Sequence, residues 1–259
     1  MRQADRGATE QKSGSRVAFF GGSFDPPHCG HLAVARAARE AFRLDTVLFA
    51  PVGAQPLKPE GSAASFEDRL AMTRLAIEGE TGFAVSLADA PKTSVERGET
   101  GRAPNYSIDT LERLRAESGD DGALFCLMGA DSSLGLRHWH RAAELPFVAP
   151  LIVASRPGQR LDSLQEALPD GLTLEPASEA HRKDSGVEVR AFFVVNRSGR
   201  RAPFYLLPDV NVEISATEIR EWIRSSSLGR QHGAQAGAAE KKLLPEAVAE
   251  YIQSHGLYR

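Results

Sequence analysis

Val17-Ala18-Phe19-Phe20-Gly21-Gly22-Ser23-Phe24-Asp25-Pro26-Pro27-His28-Cys29-Gly30-His31 decides the fold of this chain. Its apolar start, Val17 to Phe20, is short, β-favouring and flanked by polar residues, the pattern of a buried parallel strand. Gly21 and Gly22 follow, where the missing side chain lets the backbone approach a ligand and tolerates positive φ. Beyond Pro26-Pro27 the Ala-rich segment Cys29 to Phe42 favours helix, so His28 and His31, three apart, share a face near its N-terminus. Unpaired amides and the positive dipole end draw anions to that point, and two imidazole donors strengthen the preference. The stretch reads as a phosphate site. A metal site on His28, Cys29 and His31 competes with that reading, but no further Cys or His cluster completes a ligand set.

Outward from this stretch the same alternation continues. Apolar runs at Val47 to Ala50, Phe83 to Val85, Leu124 to Met128 and Leu151 to Ala154 predict strands. Helical segments are predicted over Phe66 to Ile77, Ile108 to Glu117 and Ala142 to Leu145, with Ile108, Leu111 and Leu114 on one face. Strands alternating with helices imply an α/β fold with a doubly wound parallel sheet and right-handed crossovers. Such sheets bind ligands beyond the strand C-termini, where the strand order reverses. Gly21-Gly22 and Gly129-Ala130-Asp131 both follow predicted strands and fall on that edge. Val187 to Leu207 reads as a hairpin around Asn196-Arg197-Ser198-Gly199, its basic residues being a solvated turn rather than a nucleic-acid patch. Ser225 to Ala239, rich in Ser, Gly and Ala, reads as a mobile loop before the last helix.

Composition sets the class. The chain has 259 residues, 42% hydrophobic and 25% charged, enough to bury a substantial core. Residues 1–15 are polar, lack an apolar core and read as a disordered tail rather than a signal peptide. Residues 16–259 then form a single domain including a C-terminal helical part. With 31 basic and 34 acidic residues, nothing global points to nucleic acid or membrane. No apolar stretch approaches the roughly 18 residues of a membrane span. Cys29 and Cys126 stand apart, which suggests a reducing compartment and a cytoplasmic protein.

Gly21 to His31 resembles the signature of the nucleotidyltransferase superfamily with a T/H-x-G-H motif, and the Ser-Phe-Asp-Pro form with His at the first motif position resembles its nicotinate-nucleotide adenylyltransferase branch. Further segments carry the likeness. Ile214-Ser215-Ala216-Thr217-Glu218-Ile219-Arg220 is similar to the second signature, I-S-[SA]-T-x-[IL]-R. Pro104-Asn105-Tyr106-Ser107 through Thr110-Leu111 resembles P-S-Y-T-x-x-T-L, with Asn105 for Ser and Ser107 for Thr. Gly129-Ala130-Asp131-Ser132 is similar to G-x-D-[SA], with Trp139 eight residues after the Asp. Pro56-Leu57-Lys58 resembles P-P-H-K with Leu57 for His. The tail from Leu244 to Arg259 matches the family's ending, so the likeness covers residues 16–259.

The resemblance implies a Rossmann-like nucleotidyltransferase fold and transfer of AMP from ATP to nicotinate mononucleotide, giving nicotinate adenine dinucleotide and pyrophosphate in NAD biosynthesis. Mg²⁺ accompanies ATP, bridging phosphate oxygens mainly through water rather than a protein cage. On this reading His28, His31 and Arg220 are catalytic. ATP lies against Gly21, Gly22, Ser23, Phe24, His28, His31, Ile214, Ser215, Thr217 and Arg220. The acceptor meets Lys58, Tyr106, Ser107, Asp131, Trp139 and Arg156. No residue is assigned to a metal, no nucleic-acid or membrane partner is expected, and a homo-oligomer is compatible with the chain. The residues leave two rivals: an adenylyltransferase using nicotinamide mononucleotide or phosphopantetheine, and a non-catalytic nucleotide-binding protein with the same fold.

Overall fold

A computed structural model of the chain describes residues 14–57, 60–92, 103–118, 122–155, 161–182, 186–208, 210, 215–227 and 243–259. Strand β1 (Arg16–Gly22) lies at the centre, paired in parallel with β2 (Thr46–Pro51) on one side and β4 (Ala123–Gly129) on the other. With β3 (Phe83–Val85), β5 (Leu151–Ala154), β6 (Leu172–Arg182), β7 (Val189–Asn196) and β8 (Arg201–Leu207), the sheet runs β3-β2-β1-β4-β5-β8-β7-β6. The chain moves outward from β1 to β3 and then crosses to β4, so the order reverses between β1 and β4. That reversal opens the crevice in which such sheets hold ligands.

Alternate side chains of β1 face opposite layers. Ala18 and Phe20 meet the helix α1 (Cys29–Phe42), whose Leu32, Ala35, Ala38 and Ala41 lie on one stripe, with Phe49, Leu127 and Ile152 beside them. Phe19 faces the opposite layer with Cys126, Met128, Val153, and Ile108 and Leu111 of α3 (Ser107–Ser118). Every side chain of β5 is buried, as a parallel strand covered on both faces requires. A third cluster joins α2 (Phe66–Ala76), α7 (Ala216–Ser227) and α8 (Glu246–His255) through Met72, Ile219, Val248, Ile252 and Tyr258. Short helices α4 (Ala130–Leu134), α5 (Leu145–Val148) and α6 (Leu161–Ala167), with a 3₁₀ turn at Leu136–His138, complete the described residues.

Several expectations shift. The hairpin around Asn196 to Gly199 forms, with Gly199 at φ 78° and the Asn196 side chain accepting from the Ser198 and Arg200 amides. It belongs to the main sheet: β8 pairs in parallel with β5 and β7 antiparallel with β8. Strand β6, not among the predicted strands, alternates only over Leu172-Thr173-Leu174-Glu175 before Pro176, which is tolerated because it lies at the sheet edge beside an irregular register. The helix expected over Ala142 to Leu145 starts at Leu145 instead. Pro146 favours the first helical turn, and with no N–H it cannot close the i→i−4 bond that a helix starting at Ala142 would need. Helix α7 runs to Ser227, so Ser225 to Ser227, expected in a loop, are helical, and residues 228–239 of that expectation lie outside the described residues. Residues 1–13 of the expected tail also lie outside them, while the Ser15 carbonyl accepts from the Ala123 amide at 2.9 Å.

Candidate active site

One cavity of about 580 Å³ opens over the C-terminal ends of β1 and β4. Gly21, Gly22, Ser23 and Phe24 form its floor, and His28 and His31 rise from the start of α1. Ser215, Thr217 and Arg220 approach from the N-terminal turn of α7. Tyr106 and Ser107 at the start of α3, with Asp131, His138, Trp139 and His140 after β4, close the far end. Residues 21 and 220, far apart in sequence, thus meet around one space. Lys58, Arg156 and Ile214, also expected at the site, lie outside the described residues.

Gly21 and Gly22 line the cavity, and of the two properties expected of them the missing side chain is used and positive φ is not. Strand β1 runs through both, and neither has positive φ. A Cβ at Gly21 would sit 2.8 Å from the Phe19 ring, and one at Gly22 would sit 3.3 Å from the Phe24 ring, so lack of volume is what matters. The left-handed residue is Phe24, at φ 47°. That conformation costs on the order of 1–3 kcal/mol and persists only where surroundings enforce it. Here Phe20, Phe49 and His31 hold the ring at centroid distances of 5.6, 5.6 and 4.9 Å.

His28 occupies the cap position of α1 and His31 its third residue, with ring centroids 3.8 Å apart. The His28 amide donates to His31 Nδ1 at 3.2 Å. A neutral His31 ring therefore carries its proton on Nε2 and donates from a ring that lines the cavity. Burial lowers the His28 pKa from 6.5 to about 4, and burial together with the neighbouring His28 pushes His31 well below 6.5. Both rings are then neutral donors near pH 7 before any anion arrives.

These depressed values predict a pH dependence of stability. Between about pH 4 and 6.5 the unfolded chain binds more protons at these histidines, so the native state is fully favoured above pH 6.5 and loses stability as pH falls. From pH 7 to pH 5 His28 alone accounts for about 2 kcal/mol. Thermal unfolding at both pH values is expected to show a lower midpoint at pH 5. An equal drop in a variant with both His28 and His31 replaced by alanine would show that the imidazoles are not its source.

The hydroxyls of α7 are partly engaged. Ser215 Oγ accepts from the Glu218 amide at 3.2 Å and donates to Glu218 Oε2 at 2.7 Å, a reciprocal cap that leaves Ser215 as much structural as ligand-facing. Arg220 Nη1 donates to the Asp25 carbonyl at 2.7 Å and Nη2 to Thr217 Oγ1 at 3.2 Å, which anchors the guanidinium at the mouth of the first loop.

Supporting residues went unassigned in the sequence. Asp25 is buried, accepting from the Ala63 and Ala64 amides and the Tyr258 hydroxyl. Arg69, 2% exposed, donates to the carbonyls of Ser23 and Val52. It shares the buried side of α2 with Met72, Thr73 and Ala76, a spacing that was available in the sequence. Asn105 ties the Ala54 amide to the Ala90 carbonyl. Asp89, hydrogen-bonded to Thr110, lines the cavity, and burial raises its pKa.

Comparison with known proteins places this geometry among relatives. A profile for cytidylyltransferase-like proteins matches residues 19–222. A protein of Gloeobacter violaceus named "Probable nicotinate-nucleotide adenylyltransferase" is 37% identical over 95% of this chain and 97% of its own length. A protein of Pectobacterium atrosepticum with the same name is 36% identical over 95% of this chain and 99% of its own. Among solved structures, the Plasmodium falciparum nicotinic acid mononucleotide adenylyltransferase complexed with NaAD superposes with a TM-score of 0.60 at 16% identity, covering 94% of this chain and 97% of that one. At that identity the likeness concerns the fold.

Proposed function

Since the chain belongs to the cytidylyltransferase-like family and, by its relatives, to the nicotinate-nucleotide adenylyltransferases, we propose that the two ends of its cavity divide the two nucleotides between them. The enzyme transfers AMP from ATP to nicotinate mononucleotide, forming nicotinate adenine dinucleotide and pyrophosphate. ATP occupies the end made by β1, α1 and α7, and the acceptor occupies the end made by α3 and the turn after β4. The observation that carries this reading is convergence: two imidazoles, two helix N-termini and Arg220 surround one end, and Tyr106 and Trp139 the other.

The chemistry asks little covalent work of the protein. A phosphate oxygen of the mononucleotide attacks the α-phosphorus in line with departing pyrophosphate. With a second phosphate pKa of about 6, that oxygen is already ionised near neutral pH and needs no general base. The obstacle is repulsion: one unit-charge pair at about 4 Å costs on the order of 4 kcal/mol at an effective dielectric near 20. His31 donates from Nε2 to the reacting α-phosphate, His28 supports the same phosphates, and Arg220 with the α7 N-terminus meets the β- and γ-phosphates. Gly21, Gly22, Ser23, Phe24 and Thr217 line the ATP end, with Ile214 assigned beside them and Ser215 as both cap and neighbour.

ATP enters with a divalent cation, which we take to be Mg²⁺; it neutralises phosphate charge. Among the described residues no three His, Cys, Asp or Glu side chains cluster as metal ligands. The donor set facing the cavity suits phosphate oxygens, so the ion fits as one held by the nucleotide and water. At the other end Trp139 stacks on the pyridine ring, Tyr106 and Ser107 present the α3 N-terminus to its carboxylate, and Asp131 meets a ribose hydroxyl; Lys58 and Arg156 are assigned to the same ligand. Residues 16–259 act as one domain, a reading supported by a family match over residues 19–222 that reaches all eight strands. Cytoplasmic location is supported by two free cysteines, one on α1 and one on β4. Among the described residues no helix is long and apolar enough to cross a membrane.

The test is pyrophosphate release with ATP, Mg²⁺ and, in turn, nicotinate mononucleotide, nicotinamide mononucleotide and phosphopantetheine. The nicotinate compound is expected to be preferred strongly. Trp139→Ala is expected to raise the KM for that acceptor on the order of 10-fold, the worth of one stacked base, and to spare the KM for ATP. Equal rises in both KM values would remove Trp139 from the acceptor.

A further inference from the structure

The turn carrying Trp139 and His140 ends at Arg141, whose left-handed φ of 50° is uncommon for a residue with a Cβ. Its guanidinium holds both oxygens of Glu112 on α3, at 2.8 and 3.1 Å. It holds both oxygens of Glu144 as well, at 3.0 and 2.7 Å, and Asp109 of α3 lies 3.8 Å away. One cation therefore fastens α3 to the turn that follows β4. These are the two walls of the acceptor end: Tyr106 and Ser107 stand at the start of α3, Trp139 and His140 on the turn, and the Tyr106 and His140 rings stack at 4.1 Å. An isolated exposed ion pair contributes little. Two paired, bidentate carboxylates on one planar fork instead fix a geometry.

We propose that Arg141 is a positioning residue, holding the Trp139-His140 wall against the start of α3 and so setting the width of the site for the acceptor nucleotide. This rests on the assignment of nicotinate mononucleotide to that end of the cavity. Arg141 does not line the cavity, so it acts through Tyr106, Trp139 and His140. Its three carboxylate partners already use the guanidinium, and the left-handed backbone at 141 turns the chain so that the side chain meets them.

The test compares KM for nicotinate mononucleotide and KM for ATP in wild-type enzyme, Arg141→Ala, Glu112→Gln and the double variant. Each single variant is expected to raise the acceptor KM about 10-fold and to leave the ATP KM within about twofold, with the double variant little worse than either single one, as for partners in one network. Glu112→Gln separates clamping from simple attraction. Removing a negative charge near an anionic acceptor lowers its KM if charge alone matters, whereas loosening the clamp raises it. An unchanged acceptor KM in Arg141→Ala, equal rises for both substrates, or a lowered KM in Glu112→Gln overturns the proposal. If Arg141→Ala fails to fold, Glu112→Gln and Glu144→Gln carry the same comparison. Wild-type enzyme that ignores nicotinate mononucleotide overturns the acceptor assignment, and with it this proposal; a failure confined to the variants overturns the clamp alone.

Discussion

His31→Ala is expected to lower turnover at least about 100-fold while the protein stays folded and the KM for ATP changes far less. Such a loss is about 2.7 kcal/mol of barrier, the size expected when one donor aimed at developing charge is removed. The reasoning starts from the helix: His31 is the third residue of α1, and its Nδ1 accepts the His28 amide. The ring is thereby oriented before ATP arrives, with the Nε2 proton as its donor. Its low pKa keeps it neutral near pH 7 before ATP binds, so it presents a directional hydrogen bond that needs no reorganisation. The fold tolerates the change because the ring borders the cavity as well as touching Phe20 and Phe24. Parallel kcat and circular dichroism measurements on the variant check both halves. Turnover near that of wild type in a folded variant would remove His31 from the reacting phosphate.

The sequence made this end of the site legible because its chemistry is local. Strand, glycines and histidines follow one another within fifteen residues, and each local preference agrees with the next. The second contribution, from Ser215 to Arg220, was legible as a capped helix start, although only the folded chain brings Arg220 to the Asp25 carbonyl, 195 residues away in sequence. Two kinds of feature were not legible. Strand β6 lies at an edge, where a proline and polar residues are tolerated, and its alternation stops after the four residues Leu172 to Glu175. The helical spacing of Arg69 was readable, but its partners, and those of Asp25, are carbonyls and amides of distant loops, which leave no mark in residue type. For Gly21 and Gly22 the missing side chain was the legible part and positive φ is not used; the crowding by the rings of Phe19 and Phe24 depends on side-chain packing that the sequence does not show.

Asp25→Ala is expected to destabilise the protein by about 3–5 kcal/mol, the cost of removing one partner from a buried charged network. At roughly 2–4 °C per kcal/mol for a chain of this size, the thermal midpoint falls by about 10 °C. The carboxylate is 4% exposed and receives three hydrogen bonds: Ala63 N at 2.7 Å, Ala64 N at 3.1 Å and Tyr258 Oη at 2.8 Å. Arg220 Nη1 lies 3.9 Å from Oδ2, the oxygen that also accepts from Ala63. Alanine would leave two amides, a phenol and part of a guanidinium's neutralisation without their carboxylate partner. Asparagine keeps the shape but turns an NH₂ towards one of these donors, so it is expected to recover only part of the loss. Tyr258→Phe removes a single hydrogen bond and is expected to cost only about 1 kcal/mol. That ordering, Asp25→Ala well above Asp25→Asn and both above Tyr258→Phe, is what thermal unfolding should return; a midpoint within about 3 °C of wild type for Asp25→Ala would contradict it. Tyr258 lies 233 residues from Asp25, so the helices at the end of the chain support the loop that precedes the first histidine. Loss of Asp25 is therefore expected to loosen Arg220 and lower kcat even below the unfolding temperature.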